Sequence, residues 1–345
     1  MPTPLDGWRT PFYFGGFEVP FDNPMTVEGR ELGRMLFYEK RLSANDQISC
    51  GTCHRQERAF TDGRRLARGI DDRRSERNTM SLANLLWGPQ RFFWDGRAES
   101  LEAQAGQPIL NPDEMGSTWG DVIKKLEDTD DYPAKFEAAF GTREITATRI
   151  SRALATFERT LVSHQSKYDR YLRGETTLSV REQQGRQLFM THPDVAAGIR
   201  GANCVDCHSQ FLTSGFRPDF DGFRNNGLDA AHQPGAGLEH VTGDELDRGK
   251  FKTPTLRNIE LTAPYMHDGR FTTLDEVIDH YDEHIKPSET LDPLIREARN
   301  EAQNAPRDSP SLSLTDEEKD ALVAFLRTLT DHEFISNEEF TDPHR

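Results

Sequence analysis

The sequence contains no long apolar run, and its signals for β-strands are weak. No stretch approaches the roughly 18 consecutive apolar residues that a membrane-spanning helix needs. Hydrophobic residues make up 35% of the chain and charged residues 29%, which is the composition of a globular protein rather than a disordered one. With 345 residues, the chain is long enough for two domains of ordinary size.

A leader sequence is also missing at the start of the chain. MPTPLDGWRT at 1–10 has no charged segment followed by an apolar run, so the protein is either cytoplasmic or a mature form whose leader has been removed. Basic residues are outnumbered, with 42 Lys and Arg against 58 Asp and Glu and a formal net charge of −16. Such a surface repels nucleic acid and anionic lipid and attracts a neutral or basic partner. We therefore expect no nucleic-acid partner and no membrane span.

The chain has only four cysteines, and each pair of them is followed directly by a histidine. The two strings are CGTCH at 50–54 and CVDCH at 204–208. The residues concerned are Cys50, Cys53, His54, Cys204, Cys207 and His208. C-x-x-C-H is the attachment motif of a c-type haem, in which two thiols bind the haem vinyl groups and the adjacent imidazole binds the iron. The sequence therefore predicts two haem c groups, with His54 and His208 as iron ligands.

Two other interpretations of the cysteines fit the sequence poorly. A redox-active C-x-x-C pair of the thioredoxin kind needs a surrounding βαβ pattern, which this chain lacks. A single zinc site would have to join Cys53 to the distant Cys204, and it would leave both histidines unexplained. Because haem is attached to such motifs outside the cytoplasmic membrane, we interpret the missing leader as removed and expect a periplasmic protein.

The chain also contains an internal duplication. Each half has a short segment before the haem motif, a DGR segment after it and a late helical segment. The pairs are GRMLF at 33–37 and GRQLF at 185–189, WDGRAESLEAQ at 94–104 and HDGRFTTLDEV at 267–277, and ALATFERTL at 153–161 and ALVAFLRTL at 321–329. Thr315, which acidic residues follow, is a good N-terminal cap for the last helix. We predict a mainly α protein with two tandem cytochrome c-like domains, 1–174 and 175–345, each carrying one covalently bound haem c.

The two DGR triplets give a direct alignment of the halves. Superimposing 95–97 on 268–270 aligns the residues around each triplet. The paired positions are then Trp94 with His267 and Pro108 with Tyr281. These pairs indicate which side chains could act as a second iron ligand in each half, and that ligand decides the chemistry of the iron.

The first iron is expected to keep an open face opposite His54. Pro108 has no group that can bind a metal. The other candidates in this half are His164, at the end of the late helix, and the thioethers of Met80 and Met115. We interpret both methionines as packing residues.

The second iron has several candidate ligands in the helical segment TLDEVIDHYDEH. Tyr281 occupies the position that aligns with the proline of the first half. His280 and His284 flank it and compete with it, and Met266 and His267 are weaker candidates. A purely structural role for the tyrosine also remains open at this point.

With these residues in hand, the chain resembles the bacterial di-haem cytochrome c peroxidase family, which includes the MauG proteins. The resemblance extends from about Asn23 to Leu329. Its motifs are FWDGRA at 93–98, EMG at 114–116, TPTLRN at 253–258 and APYMHDGR at 263–270. Peroxidases of this family have a methionine ligand fourteen residues after the HDG histidine. MauG has a tyrosine there, and this chain similarly has Tyr281. The resemblance therefore implies that Tyr281 binds the second iron.

The resemblance also implies roles around the first haem. Many family members carry a distal histidine on the loop after the first haem motif, but the corresponding loop here, at 60–78, has none. This departure matches the MauG-like branch. By the same carry-over, Gln104 and Glu114 line the peroxide pocket, and Trp94 lies between the two haems.

A calcium ion is a further expectation from the resemblance. The family binds it through an asparagine side chain and two backbone carbonyls, at positions that Asn78, Thr262 and Pro264 occupy here. Amide and carbonyl oxygens suit this hard cation.

These observations favour an enzyme that reduces hydrogen peroxide at the first haem, while the second haem stores or relays oxidising equivalents. Its electrons would come from a small cytochrome c or a copper protein. An alternative is a MauG-like enzyme that uses peroxide to oxidise residues of a partner protein, and a plain electron carrier is the third hypothesis. The sequence names neither the donor nor the target, and it leaves the oligomeric state open, a homodimer included.

Overall fold

The computed structural model describes residues 2–5, 11–87, 91–209, 222–229, 235–301 and 311–344. Helices dominate these residues, and the strands among them form one two-stranded sheet. The prediction of a mainly α protein is therefore confirmed. In the described ranges, no helix is long and apolar enough to cross a membrane.

Two compact units share the chain. They comprise Met1–Trp87, Ala98–His164 and Glu333–Arg345 in the first unit, and Gly88–Arg97 and Gln165–His332 in the second. The segment Gly88–Arg97 of the first half therefore belongs to the second unit, and the segment Glu333–Arg345 of the second half belongs to the first unit. The contacts divide the chain after His164, and the domain boundary at Gly174 stays a prediction.

The elements are numbered in chain order. Helices α1 to α6 of the first unit are Val27–Tyr38, Cys50–Cys53, Leu101–Leu110, Trp119–Glu127, Tyr132–Phe140 and Ala147–Thr160. Helices α7 to α12 of the second unit are Lys167–Leu172, Val180–Met190, Glu239–Thr242, Leu274–Glu283, Pro293–Glu297 and Asp316–Arg327. Strands β1 (Phe223–Arg224) and β2 (Phe251–Lys252) of the second unit pair antiparallel.

The core of the first unit is built where α1 crosses α6. A Cβ atom at Gly33 would lie 2.0 Å from the carbonyl oxygen of Ala153, so only glycine permits this approach. Next to the crossing, Phe37 and Phe157 are fully buried and their rings meet edge to face at 5.3 Å. The GRMLF segment thus places its glycine and its phenylalanine against the late helix.

The second unit repeats this crossing with α8 and α12. A Cβ atom at Gly185 would lie 1.8 Å from the carbonyl oxygen of Ala321. The rings of Phe189 and Phe325 meet edge to face at 5.4 Å, as in the first unit. The internal duplication that the sequence indicates is therefore present in the packing as well.

Helices α3 and α10 are equivalent in the same way. When the DGR triplets are superimposed, Leu274–Glu283 aligns end to end with Leu101–Leu110. Ser100 caps α3 by accepting a hydrogen bond from Ala103 N at 3.0 Å, and Thr273 caps α10 by accepting one from Glu276 N at 3.1 Å. The predicted cap of α12, Thr315, is also confirmed.

The turns that precede these helices share one backbone conformation. Phe93 and Met266 have φ values of 66° and 73°, and Gly96 and Gly269 have φ values of 77° and 65°. The left-handed region favours glycine, which explains the middle residue of both DGR triplets. The alignment of the two halves is therefore correct at this point of the chain.

The C-terminal segment completes the core of the first unit. The ring of Phe60 packs against Phe334 at 5.4 Å and against Phe340 at 6.4 Å. Tyr38 adds a hydrogen bond from its hydroxyl to the carbonyl oxygen of Phe340 at 2.6 Å. These contacts explain why residues Glu333–Arg345 belong to the first unit.

Candidate haem-binding sites

The first attachment motif forms a single helical turn, α2. Ser49 N donates to the hydroxyl of Thr52 at 3.0 Å, and this hydrogen bond closes the start of the turn. His54 N donates to the carbonyl of Cys50 at 2.8 Å at its end. Since one turn of helix brings residues three apart onto one side, the thiols of Cys50 and Cys53 lie on a common side of the turn.

The imidazole of His54 is oriented by the main chain. Its Nδ1 lies 2.7 Å from the carbonyl oxygen of Phe60, which can only accept, so Nδ1 carries the proton. Burial lowers the pKa of His54 and favours the neutral ring, whose Nε2 then has a free electron pair. A backbone carbonyl on the far nitrogen is the usual way in which a metal-binding histidine is held.

The thiols of this motif are kept neutral by their surroundings. Burial raises the pKa of Cys53 to about 12 and raises that of Cys50 as well. Such sites disfavour the thiolate that zinc or redox chemistry needs. A thioether sulfur carries no charge and suits them.

The second attachment motif forms a similar short turn. Residues Cys204–Asp206 form a short 3₁₀ turn, and His208 N donates to the carbonyl of Cys204 at 2.9 Å. Burial raises the pKa of Cys204 and of Cys207 to about 12. Burial also lowers the pKa of His208 to about 4, and its Nδ1 has no hydrogen-bond partner among the described residues.

Gln104 and Pro108 lie one turn apart on the same face of α3. The side-chain oxygen of Gln104 is buried and has no hydrogen-bond partner in the part of the chain that the structure describes. Pro108 lacks the N–H group that would bond to the carbonyl of Gln104 in a regular helix. This face therefore presents an amide to a bound group and no side chain that could bind a metal.

Glu114 is fixed by the loop that follows α3. Asn111 Nδ2 donates to Glu114 Oε1 at 2.8 Å, and Ile70 N donates to the Glu114 carbonyl at 2.7 Å. A Cβ atom at Gly69 would lie 2.1 Å from the carbonyl oxygen of Asp113, so the loop without a histidine packs tightly against this segment.

The negative charge of Glu114 acts electrostatically on the cysteines of the first haem motif. After burial, this charge is one of the influences that raise the pKa values of Cys50 and Cys53. The structure therefore brings Glu114 close to the attachment turn, although the two are far apart in sequence. Met115, next to it, is buried in the hydrophobic core of the unit, in agreement with its interpretation as a packing residue.

Trp94 belongs to the second unit by its contacts. Its carbonyl oxygen accepts a hydrogen bond from Lys252 N at 2.9 Å. Its ring lies edge to face with His267 at 6.5 Å, and His267 in turn stacks on Phe251 at 3.7 Å. The two residues that the alignment pairs, Trp94 and His267, are thus in contact.

Tyr281 lies on α10, close to the second haem motif. Burial raises its pKa to about 12, and charges on Cys207 and Cys204 would add to this effect. Asn226 Nδ2 donates a hydrogen bond to its hydroxyl oxygen at 3.2 Å. The phenol oxygen is therefore in a buried site with one defined donor.

Of the competing ligands of the second half, His280 is engaged elsewhere, His284 is exposed, and Met266 contacts the same amide as Tyr281. His280 Nε2 lies 3.0 Å from the carbonyl oxygen of Asn226, and burial lowers the pKa of this histidine to about 4. His284 is exposed at the C-terminal cap of α10. The sulfur of Met266 accepts from Asn226 Nδ2 at 3.5 Å.

The residues predicted for calcium are distributed over both units. Asn78 is in the first unit, and its Nδ2 donates to the carbonyl oxygens of Arg64 and Arg65 at 2.9 and 3.4 Å. Thr262 and Pro264 are in the second unit. The calcium site stays a prediction.

Sequence reasoning missed three residues that hold the predicted ones. They are Phe60, whose carbonyl orients His54; Asn111, which bonds to Glu114; and Asn226, which bonds to Tyr281. Only Asn111 had a visible signal, since it stands three residues before Glu114 after a helix. The other two act through contacts that no local pattern encodes.

Both sites fit a covalently bound haem. Each has two neutral thiols on one turn and a buried, neutral imidazole directly after them. Within the described ranges, no three His, Cys, Asp or Glu side chains are grouped as a separate metal site.

Comparisons with known proteins give a consistent result. A family model described as di-haem cytochrome c peroxidase matches residues 27–177. The methylamine utilization protein MauG of Methylorubrum extorquens is 37% identical over 312 residues, which cover 90% of this chain and 80% of that protein. The cytochrome c551 peroxidase of Nitrosomonas europaea is 37% identical over 260 residues, which cover 74% of this chain and 73% of that protein.

A solved structure resembles the whole chain. The crystal structure of a MauG-like protein associated with microbial copper homeostasis has a TM-score of 0.85 and 37% sequence identity. The match covers 98% of this chain and 99% of that one.

Proposed function

Because the chain belongs to the di-haem cytochrome c peroxidase family and is therefore an oxidoreductase that acts on peroxide, we propose that its two haem sites have different tasks. The first unit binds and reduces hydrogen peroxide opposite His54. The second unit, with Tyr281 as its second iron ligand, stores oxidising equivalents.

The observation that carries this proposal is the difference between two equivalent helices. Helix α10 carries Tyr281 where α3 carries Pro108, at the same position along the helix and after the same kind of cap. Pro108 would offer no ligand to an iron bound beside α3, so a substrate could bind there. Tyr281 would offer an oxygen ligand to an iron bound beside α10.

The haems supply the iron that exchanges electrons with peroxide, and the protein controls the surroundings. His54 is held for iron binding by the Phe60 carbonyl. Glu114 takes a proton from the near oxygen of peroxide and returns it to the leaving oxygen, which is general acid–base catalysis. Gln104, whose side-chain oxygen has no described partner, hydrogen-bonds the bound peroxide.

In the second unit, Tyr281 sets the potential of its site. A thioether ligand raises the reduction potential of a haem, whereas a phenolate oxygen is a hard anionic ligand that lowers it. A low potential favours the storage of oxidising equivalents. The contact of Trp94 with His267 supports a role of this tryptophan in electron transfer between the haems.

Two kinds of reductant suit this arrangement. One is a small cytochrome c or copper protein, and the net charge of −16 favours a basic or neutral donor. The other is a protein whose residues become oxidised, and the tyrosine at position 281 favours this MauG-like use of peroxide. We further propose a periplasmic location, and a calcium ion bound by the Asn78 side chain and the carbonyls of Thr262 and Pro264.

A comparison of the parent protein with Tyr281→Met tests the proposal. The fully ferric parent should show one high-spin and one low-spin haem, and its spectrum should change on mixing with peroxide without prior reduction. The variant should have a second haem of higher potential and should react only from a half-reduced state. Stopped-flow absorption, electron paramagnetic resonance and redox titration measure these properties.

Tyr265→Phe is the matched control, because it removes the hydroxyl of another tyrosine of the second unit. It should leave the potential and the peroxide reaction unchanged. If the parent does not react until it is reduced, Tyr281 does not determine the mechanism. His280 and His284 are then the next ligands to replace.

A further inference from the structure

Asn226 makes two contacts through the same amide nitrogen. Nδ2 lies 3.2 Å from the hydroxyl oxygen of Tyr281 and 3.5 Å from the sulfur of Met266. A thioether sulfur can accept a hydrogen bond but cannot donate one. The nitrogen of the amide, and not its oxygen, must therefore face this corner, so Tyr281 receives a donor.

The main chain of Asn226 is tied to the same helix. Its carbonyl oxygen lies 3.0 Å from His280 Nε2, one residue before the tyrosine. The next residue, Gly227, accepts a hydrogen bond from Lys286 N at 2.7 Å, just beyond the end of α10. The main chain at Asn226 and Gly227 is thus held against α10 at His280 and against the segment just beyond the end of the helix.

The residue before it is anchored as firmly. Asn225 is buried, and its Nδ2 donates to the hydroxyl of Thr290 at 2.8 Å. Its carbonyl oxygen accepts from Asp292 N at 3.1 Å. A Cβ atom at Gly227 would lie 2.5 Å from Ile285, so the turn packs closely on the other side too. The amide of Asn226 therefore has little freedom to move away from the phenol oxygen.

A fixed donor at this oxygen has a definite chemical effect. Hydrogen bonds to a metal-binding group tune the metal as well as orient the ligand. A donated hydrogen withdraws electron density from a phenolate oxygen and reduces what this oxygen gives to an iron. It also prevents the oxygen from turning toward other groups.

We propose that Asn226 is a positioning residue for Tyr281, which fixes the phenol oxygen and weakens it as a ligand, and so raises the potential of the second haem above the value that a free phenolate would set. This inference rests on the proposed role of Tyr281 as an iron ligand. It adds that the potential of the second haem is set by two residues together: Tyr281, which binds the iron, and Asn226, which donates a hydrogen bond to Tyr281.

The test combines Asn226→Leu with Tyr281→Met in a double-mutant cycle. Leucine has a similar volume but no donor. In the parent, it should lower the midpoint potential of the second haem and shift the iron–phenolate bands in resonance Raman spectra. In the Tyr281→Met background, the same substitution should leave the potential nearly unchanged, because the oxygen is absent.

Two further variants keep the result interpretable. Asn226→Ala removes the donor without adding a charge and should also lower the potential, whether or not the leucine variant folds. Met266→Leu removes the other acceptor and should leave the phenolate bands in place. Retention of two haems per chain shows that each variant is correctly assembled.

The possible failures are distinguishable. If the parent has no iron–phenolate bands, the role of Tyr281 and this inference fall together. If the parent has these bands but both Asn226 variants leave them and the potential unchanged, only the inference is overturned. An equal shift of potential in both backgrounds would also overturn it, because the effect would not pass through Tyr281.

Discussion

Helices α3 and α10 have the same length, the same kind of cap and the same preceding turn, yet they differ at one decisive position. Pro108 of the first helix corresponds to Tyr281 of the second. The scaffold has been kept in both halves, whereas the side chain at this position has changed. Under the proposed function, this one change is how a duplicated fold gives two haem sites different chemistry.

A second difference lies on the late helices. Glu158 of α6 corresponds to Leu326 of α12, and both side chains are buried. Glu158 Oε2 has no hydrogen-bond partner in the described residues, and burial raises the pKa of this carboxyl to about 8. The first unit thus contains a buried acid where the second unit has an ordinary core residue.

The largest expected effect concerns the division of tasks between the halves. Glu114→Gln should slow the reaction with peroxide by roughly 10²–10⁴-fold, which is the usual contribution of a positioned acid–base group. The spectrum and potential of the second haem should stay as in the parent. Asp113→Asn changes an adjacent acid of the same loop and is the matched control. An unchanged rate in stopped-flow experiments would remove Glu114 from the mechanism.

The second prediction concerns the buried acid of α6, which should make the free energy of unfolding depend on pH, whereas Leu326 of α12 cannot. The folded-state pKa of Glu158 is raised, so the folded protein retains a proton that the unfolded chain loses between about pH 4.5 and pH 8. The free energy of unfolding should therefore fall as pH rises through this window, on the order of 4 kcal/mol in all.

Glu158→Gln cannot ionise and should remove this pH dependence. Denaturant unfolding at pH 5 and at pH 8 measures the difference, and the variant should exceed the parent in stability at the higher pH. Glu137→Gln, at an exposed position of α5, should follow the parent at both values. Equal slopes for parent and Glu158→Gln would show that Glu158 is paired in solution.

The smallest expected effect concerns the glycine that both units have at their helix crossing. Gly33→Ala and Gly185→Ala should each destabilise their unit by about 1–3 kcal/mol, because the added methyl group meets a carbonyl oxygen of the partner helix. Gly120→Ala, in α4, where an added methyl group makes only an ordinary contact, should instead stabilise by about 0.5–1 kcal/mol. If only one of the two crossing glycines tolerates alanine, the packing is less equivalent than the distances indicate.

Much of this organisation could be predicted because it is encoded locally. Three short patterns each predict one feature. The haem motifs predict haem attachment, the glycine of each DGR triplet predicts a left-handed turn, and Thr315 predicts the start of the last helix. Superimposing the two DGR triplets is sufficient to pair Pro108 with Tyr281, since no residue is inserted or deleted between each triplet and the end of its helix.

Other features depend on contacts between distant residues, and these could not be predicted. Helix α7 is joined to the rest of the second unit by an ion pair at 2.9 Å between Asp169 and Arg257, both of which are fully buried. Neither residue has a signal in its own neighbourhood. The same holds for Asn226, whose side-chain amide bonds to Tyr281, and for Phe60, whose carbonyl oxygen bonds to His54.

The return of residues Glu333–Arg345 to the first unit has a consequence for biosynthesis. When the first half of the chain has left the ribosome, Phe334 and Phe340 have not yet been made. These two residues pack against Phe60, which follows the first attachment motif in the sequence. The core of the first unit is therefore completed by residues that are synthesised after the whole of the second unit. A gene cut between the halves would not yield two autonomous proteins, because the upstream product would lack two aromatic rings of its own interior.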